Sequence, residues 1–302
     1  GETRRRAFKL SPLVADALFL AAVYLGLIQL RKKKGGLSMA KLLFKPKESI
    51  FIYNCAVALV HSFVRRLKGL AGETGHFHPL WDPNNLARQV HALTAVSLGW
   101  VFLDSARSKD DKKRLALCLR AVFFALPELY ILQQGNGRAA LCLAYLQIFA
   151  SVVLYVKVQI YARRSDLELL CILACSLYCS QIFHATGHQC QFSALQYNAA
   201  FVGFETFSWW RGFALMMANT WASHILVVLL MAVLYARRGA KDRATGYLAF
   251  GLTFSVQSLC VMVCCMLHGR HLMVWGVFAP KFIFNSVALV LTDVLLLFTY
   301  AI

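Results

Sequence analysis

The sequence predicts an all-α fold, a polytopic membrane helical bundle with about nine transmembrane helices. Three observations carry that prediction. Apolar residues make up 59% of the 302-residue chain and charged residues only 15%, whereas soluble domains run nearer about 45–50% and 25%. So apolar a chain needs lipid as its solvent. The apolar residues gather into runs close to the roughly 20 residues that a helix needs to cross a bilayer. The charges, net +18, collect in the gaps between those runs, where basic residues set topology. No basic patch interleaved with aromatics lies outside the apolar runs, so no nucleic-acid partner is expected.

Taken in order, spans are expected at 10–30, 49–64, 86–104, 115–133, 139–161, 167–184, 212–236, 246–268 and 282–300. The run at 49–64 is the shortest. Segment 199–211 is apolar and aromatic (Phe201, Phe204, Phe207, Trp209, Trp210) but ends in Arg211, which reads as an interfacial helix or a half-span. Of the ten cysteines only Cys190 falls in a loop. The others behave as small hydrophobes in apolar runs, and no disulfide framework is expected. The stripe Cys171, Cys175 and Cys179 has helical spacing and suits close packing.

The loops can be given sides. Arg107–Arg114, Arg163–Arg164 and Arg237–Arg243 are basic and two spans apart, so they share one side, which the positive-inside rule makes cytosolic. Loops 134–138, 185–211 and 269–281 then face the lumen. Two basic clusters, Arg4–Arg6 and Arg65–Lys68, fall on the lumenal side against that rule.

Ionisable residues inside spans are expensive and mark cavities or partners. Asp16, Arg120, Glu128, Lys157, His224 and Asp293 are of this kind. Arg120 and Glu128 stand about 80° apart on one helix at 100° per residue, which suits a polar head-group cavity or a structural pair between helices. Asp293 and His224 are candidates to pair. His184, His188 and Cys190 have metal-ligand spacing, but no fourth ligand is near and Gly187 ends the helix, so no metal site is expected. Glu73, His76, His78 and Asp82 cluster in a proline-containing loop. The chain has no P-loop, no GxSxG and no CxxC pair.

Four segments stand out in composition: ATGHQ (Ala185–Gln189), AAFVGF (Ala199–Phe204), ANTWASH (Ala218–His224) and RHLMVWGVFAPKFIF (Arg270–Phe284). Together they resemble the C-terminal membrane region of the glycosylphosphatidylinositol (GPI) ethanolamine phosphate transferases, closest to type 3. The resemblance implies a single membrane domain over 1–302, the C-terminal part of a longer enzyme whose lumenal catalytic domain is not in this sequence. It implies transfer of phosphoethanolamine from phosphatidylethanolamine to a mannose of the GPI precursor, the third for a type 3 enzyme, in the endoplasmic reticulum membrane. Two metal ions, zinc by the resemblance, belong to the missing domain, and no cofactor or catalytic residue is expected in this chain. A small multi-span stabilising subunit is an expected partner. A type 2 relative, a multi-span lipid transporter and a non-catalytic stabilising subunit are the alternatives.

The candidate substrate-binding residues are His188, Gln189, Asn219, His224, Arg270, Trp275 and Lys281. Small polar groups at the lumenal ends of spans would hold a glycan whose lipid tail lies between helices. Trp275 would sit at head-group depth, and Arg270 and Lys281 would meet lipid phosphate. Ordinary interfacial anchoring is the other reading of the aromatic and basic residues. One departure is Asn285, where the family resemblance implies an acidic residue after PKFIF.

Overall fold

The computed structural model describes residues 12–32, 46–71, 82–106, 111–133, 137–158, 164–236, 238–270 and 274–301. Among them are ten α-helices and no strand. In chain order these are α1 (Pro12–Lys32), α2 (Pro46–Ala71), α3 (Pro83–Ala106), α4 (Asp111–Leu132), α5 (Gly137–Val158), α6 (Arg164–Ala185), α7 (Trp209–Thr220), α8 (Ala222–Tyr235), α9 (Ala240–Leu267) and α10 (Ala279–Ala301). Each expected span falls on one of these helices, or on the pair α7 and α8.

Among the described residues, five stretches are long and apolar enough to cross a membrane: Ser49–Lys68, Pro83–Asp104, Glu168–Ala185, Ala240–Leu267 and Trp275–Tyr300. The broken pair α7 and α8 makes a sixth if it is one span. A membrane helical fold is therefore present, although this measure does not reach nine spans. One reason is α4, which carries Arg120, Pro127 and Glu128 within its length.

Two boundaries differ from expectation. The run at 49–64 is no short span, because α2 continues to Ala71 and keeps Arg65, Arg66 and Lys68 helical. Segment 199–211 is not a helix along its length. A short 3-10 turn over Tyr197–Phe201 leads into Gly203 at φ +84°, and α-helix resumes only at Trp209. The amphipathic helix is instead α7, and the span expected at 212–236 breaks at Trp221.

By its internal contacts the chain divides into two compact units. The first comprises residues 1–104, 120–147 and 197–219, and the second residues 105–119, 148–196 and 220–302. In the first unit the core is aromatic. Phe19 meets Tyr130 at 4.2 Å between ring centroids, and Phe51 lies 6.0 and 5.8 Å from Phe123 and Phe124. A polar network crosses this core. Asp16 on α1 accepts from Arg66, Ser62 and Tyr130, and Arg138 Nη1 donates to Ser62 Oγ at 3.1 Å. A carboxylate inside an apolar bundle is stable only with such partners.

In the second unit α8 is apolar all round and almost wholly buried, as a central helix is. α6, α9 and α10 pack against it. At one end of this unit Arg238, just after α8, donates to Glu168 near the start of α6 at 2.9 Å. At the other end the loop after α6 meets the start of α10, with Phe192 and Phe284 5.6 Å apart.

Candidate functional site

The ATGHQ segment is a helix stop. Gly187, at φ +87°, adopts the backbone that glycine alone reaches without strain. Its N–H donates to the His184 carbonyl at 3.0 Å, and the His188 N–H donates to the Phe183 carbonyl at 3.3 Å. That pair of bonds is a Schellman cap. Thr186 Oγ1 adds bonds of 2.9 Å to the carbonyls of Ile182 and Phe183. The cap folds His188 back against the residue it closes onto. The imidazole is buried, with its centroid 5.5 Å from the Phe183 ring.

The ANTWASH segment carries the break between α7 and α8. Trp221 stands at the break with φ −100° and ψ 24°, and its ring stacks on Phe284 at 5.2 Å and 22°. One turn further on, His224 meets Phe183 at 6.3 Å and Phe254 at 5.4 Å. Its Nδ1 lies 3.2 Å from Ser223 Oγ. The PKFIF segment contributes Phe284, 5.6 Å from Phe183. Three motifs far apart in sequence thus converge on the ring pair Phe183–Phe284 inside the second unit.

Beside these rings lies a cavity of about 40 Å³ whose lining includes His184, Cys190, His224, Gln257, Ser258 and Asn285. It has room for a few waters. Asn285 Nδ2 and Ser258 Oγ are buried with no hydrogen-bond partner among the described residues. A buried polar atom left unpaired costs about 1–3 kcal/mol, so the pocket suits water or the hydroxyl of a polar ligand. Cys190 sits in the loop outside the spans. Burial pushes its thiol up, and the charge of Lys281 works against that shift.

Of the residues named from sequence, His224 lines this pocket and His188 reaches it through Phe183. Lys281 lies in the first turn of α10, partly exposed and close enough to act on Cys190. Gln189 and Arg270 are exposed, in the turns after α6 and α9. Trp275 sits in a π turn over Val274–Phe278 and is 69% exposed. None of these three lines the pocket. Asn219 belongs to the first unit, where its carbonyl accepts from Gln133 Nε2 at 3.1 Å. Phe183, Gln257 and Ser258 were not singled out from sequence. Phe183 lies just before ATGHQ, but the other two carry no local signal inside an apolar run.

The remaining candidates resolve differently. Glu128 binds His91 at 2.7 Å, while Arg120 lines a separate small pocket with Asp104 and Trp100, so the two do not build one head-group cavity. His224 and Asp293 do not pair, because Asp293 faces a different cleft. Among the described residues no three His, Cys, Asp or Glu side chains form a metal-binding group. Glu73, His76, His78, Arg4–Arg6 and the Lys157 side chain lie outside the described residues.

The AAFVGF segment docks in the first unit. A Cβ on Gly203 would lie 3.2 Å from Ala87 Cβ and 3.3 Å from the Arg88 nitrogen, so only glycine lets the loop approach α3 this closely. The neighbouring Val202 carbonyl lies 3.1 Å from His91 Nε2. Phe204 stacks on His91 at 6.0 Å and holds the Arg211 guanidinium 3.8 Å above its ring, a cation–π contact.

A sequence profile of the GPI ethanolamine phosphate transferase membrane region matches residues 39–300. The catalytic subunit of GPI ethanolamine phosphate transferase 3 from Mus musculus is 33% identical over 170 residues, covering 40% of this chain and 16% of the mouse protein. Its Homo sapiens counterpart is 31% identical over 172 residues, covering 42% and 16%. GPI ethanolamine phosphate transferase 3 from Saccharomyces cerevisiae is 29% identical over 136 residues, covering 42% and 13%. The matches therefore span only a small part of these relatives' length. No solved structure matches. With the profile covering most of its length and all four motifs in place, the chain belongs to the GPI ethanolamine phosphate transferase family, as its membrane region.

Proposed function

We propose that this chain holds the lipid-linked acceptor for an enzyme that adds phosphoethanolamine to a mannose, the third, of the GPI precursor in the endoplasmic reticulum membrane. The convergence of ATGHQ, ANTWASH and PKFIF on one polar pocket carries the reading. Residues far apart in sequence meet there around Phe183 and Phe284, at the end of the second unit where the loop after α6 joins α10. A GPI precursor has an apolar tail and a hydroxyl-rich glycan. Helices in lipid accept the tail, and unpaired polar atoms such as Asn285 Nδ2 suit a sugar hydroxyl.

Phosphatidylethanolamine is the donor on this reading, and a small multi-span stabilising subunit is a partner. The two metal ions that the family resemblance implies have no ligand group among the described residues. The role given to this chain is binding of the acceptor. The test is complementation of cells lacking the activity with full-length enzyme carrying Asn285→Leu or His224→Leu. The expected result is less GPI-anchored protein at the surface at unchanged enzyme level. Full surface display by both variants would overturn the reading.

A further inference from the structure

The basic run Arg65–Lys68 stands against the positive-inside expectation, and the pocket around His224 leaves it unexplained. The run lies at one end of the first unit. The first turns of α1, the end of α2, the end of α4 and the start of α5 meet there, through Asp16, Arg66, Tyr130 and Arg138. The membrane-crossing stretch of α2, Ser49–Lys68, ends at the same place. The cluster is therefore at the depth of lipid head groups rather than of acyl chains.

Cations outnumber anions here. Arg66 Nη2 and Arg138 Nη1 each donate to Ser62 Oγ at 3.1 Å, so two guanidiniums stand side by side on one hydroxyl. That hydroxyl is saturated, because it also donates to Asp16 at 3.2 Å. Asp16 pairs with Arg66 and accepts from Tyr130 as well, so the one carboxylate is fully engaged. Arg138 is half-buried. Its Nε donates to the Gln133 carbonyl at 2.8 Å and its guanidinium lies 5.4 Å from the Tyr130 ring. It has no carboxylate partner among the described residues, and its Nη2 has no partner among them. Arg65, exposed on α2, is near enough for its charge to act on Arg138, and it too has no carboxylate partner among the described residues. Lys68 differs, because Asp82 lies 3.7 Å from it. Two guanidiniums are thus left uncompensated at one place, where like charges repel and an anion relieves both.

We propose that Arg138, with Arg65 and Arg66, binds the phosphate of an acidic phospholipid at this end of the first unit. Guanidinium forks match phosphate oxygens, and Arg66 and Arg138 are close enough for one phosphate to bridge. The excess positive charge selects against a lipid whose head group carries its own ammonium, because Asp16 has no capacity left to receive it. The position at a span end selects a lipid phosphate over a soluble one, as basic pockets between membrane helices do. This inference does not rest on the acceptor-holding role proposed for the pocket around His224, which lies in the other unit.

The full chain is released for native mass spectrometry from neutral detergent micelles that hold equal amounts of phosphatidylglycerol and phosphatidylcholine, and the bound lipid is counted. The expected result is phosphatidylglycerol retained about tenfold over phosphatidylcholine, the size of one charge-assisted hydrogen bond. Arg138→Gln should bring the two lipids close to level, and Arg138→Lys should keep part of the preference. Arg65→Gln, at an exposed position where folding is not at stake, should lower the preference a few-fold. Lys241→Gln removes an exposed cation from the other unit and should leave it unchanged, which separates a local site from the attraction of the chain's net charge. Equal retention of both lipids by the unmodified chain would overturn the proposal. So would an unchanged preference in Arg138→Gln and Arg65→Gln, or an equal loss in Lys241→Gln. Displacement of phosphatidylglycerol by an equal concentration of glycerol phosphate would make the occupant a soluble phosphate and overturn the lipid assignment.

Discussion

His91 on α3 and Glu128 on α4 are bound side chain to side chain, Nδ1 to Oε1 at 2.7 Å. The other ring nitrogen faces the Val202 carbonyl at 3.1 Å. A carbonyl only accepts, so Nε2–H donates to it, and Nδ1 and the carboxyl share one further proton. A single histidine therefore ties two helices to the AAFVGF loop. His91→Ala removes both bonds, whereas Glu128→Gln leaves an amide that can still donate to Nδ1. The expected loss for His91→Ala is about 1–3 kcal/mol, the cost of stranding a buried polar partner, and clearly less for Glu128→Gln. Thermal unfolding of the purified chain in detergent reads both. Limited proteolysis should show faster cutting near 203–208 in His91→Ala alone.

The ring pair at the centre of the second unit makes a different prediction. Phe183 touches His188, His224 and Phe284, while Phe192 is 38% exposed and meets Phe284 from outside. Truncating a buried phenylalanine costs about 3–5 kcal/mol. Phe183→Ala should therefore lower the melting temperature far more than Phe192→Ala. Equal shifts would mean that the motifs do not depend on this ring.

Asp16 and Arg66 offer a test of charge bookkeeping inside the first unit. Removing one member of a buried pair leaves the other charge uncompensated, while replacing both with apolar groups is often neutral. Asp16→Ala should destabilise the chain more than the double variant Asp16→Leu/Arg66→Met. The pair is about a fifth to a quarter exposed, so the difference will be smaller than for a sealed pair. A double variant worse than the single one would show that Arg66 has another role.

Sidedness can be checked directly. Arg238 reaches Glu168 at one end of the second unit, and Phe192 reaches Phe284 at the other. The turn after α6, up to Gln196, and the start of α10 therefore belong to one end of that unit. Cysteines introduced at Ser193 and Gly276, in a chain cleared of its own accessible thiols, should react with an impermeant maleimide from the same side of sealed microsomes. Reaction from opposite sides would contradict the packing of the second unit.

Much of this was legible in the sequence because lipid enforces it. Backbone groups in a bilayer must bond within a helix, so each apolar run became helical as expected. Gly187 announced the end of α6, and the cap forms there. What the sequence hid depends on neighbours it cannot display. Arg66 reads as a loop residue that breaks the positive-inside pattern, yet it is helical and donates to Asp16, 50 positions away. Glu128 reads either as part of a head-group cavity with Arg120 or as half of a structural pair between helices; the second holds, and the sequence could not say that the partner is His91 on α3. Segment 199–211 has an interfacial composition, and Gly203 at positive φ overrides it. In the pocket, His224 was legible as a polar residue in an apolar run. Ser258 and Gln257 look like ordinary tolerated polar residues of a long helix until α9 turns them inward.

The last prediction separates two residues that look alike in sequence. His188 and Arg270 are both polar, both follow a span and both sit in family-like motifs. The structure gives them different surroundings. His188 is 3% exposed and is pressed onto Phe183 by the cap that ends α6. Arg270 is exposed in the turn after α9. A buried imidazole in a helix cap serves packing first, and an exposed guanidinium at a span end is free to meet a lipid phosphate. In the full-length enzyme His188→Ala should therefore lower both enzyme level and GPI-anchored protein at the surface, in proportion. Arg270→Ala should lower surface display while enzyme level stays near normal, and Arg270→Lys, which keeps the charge but not the fork, should restore part of it. Flow cytometry of GPI-anchored proteins beside quantitative blotting reads both axes. If Arg270→Ala loses level and activity together, Arg270 is a structural residue of the turn, and lipid contact at that end of the unit has to come from Lys281 instead.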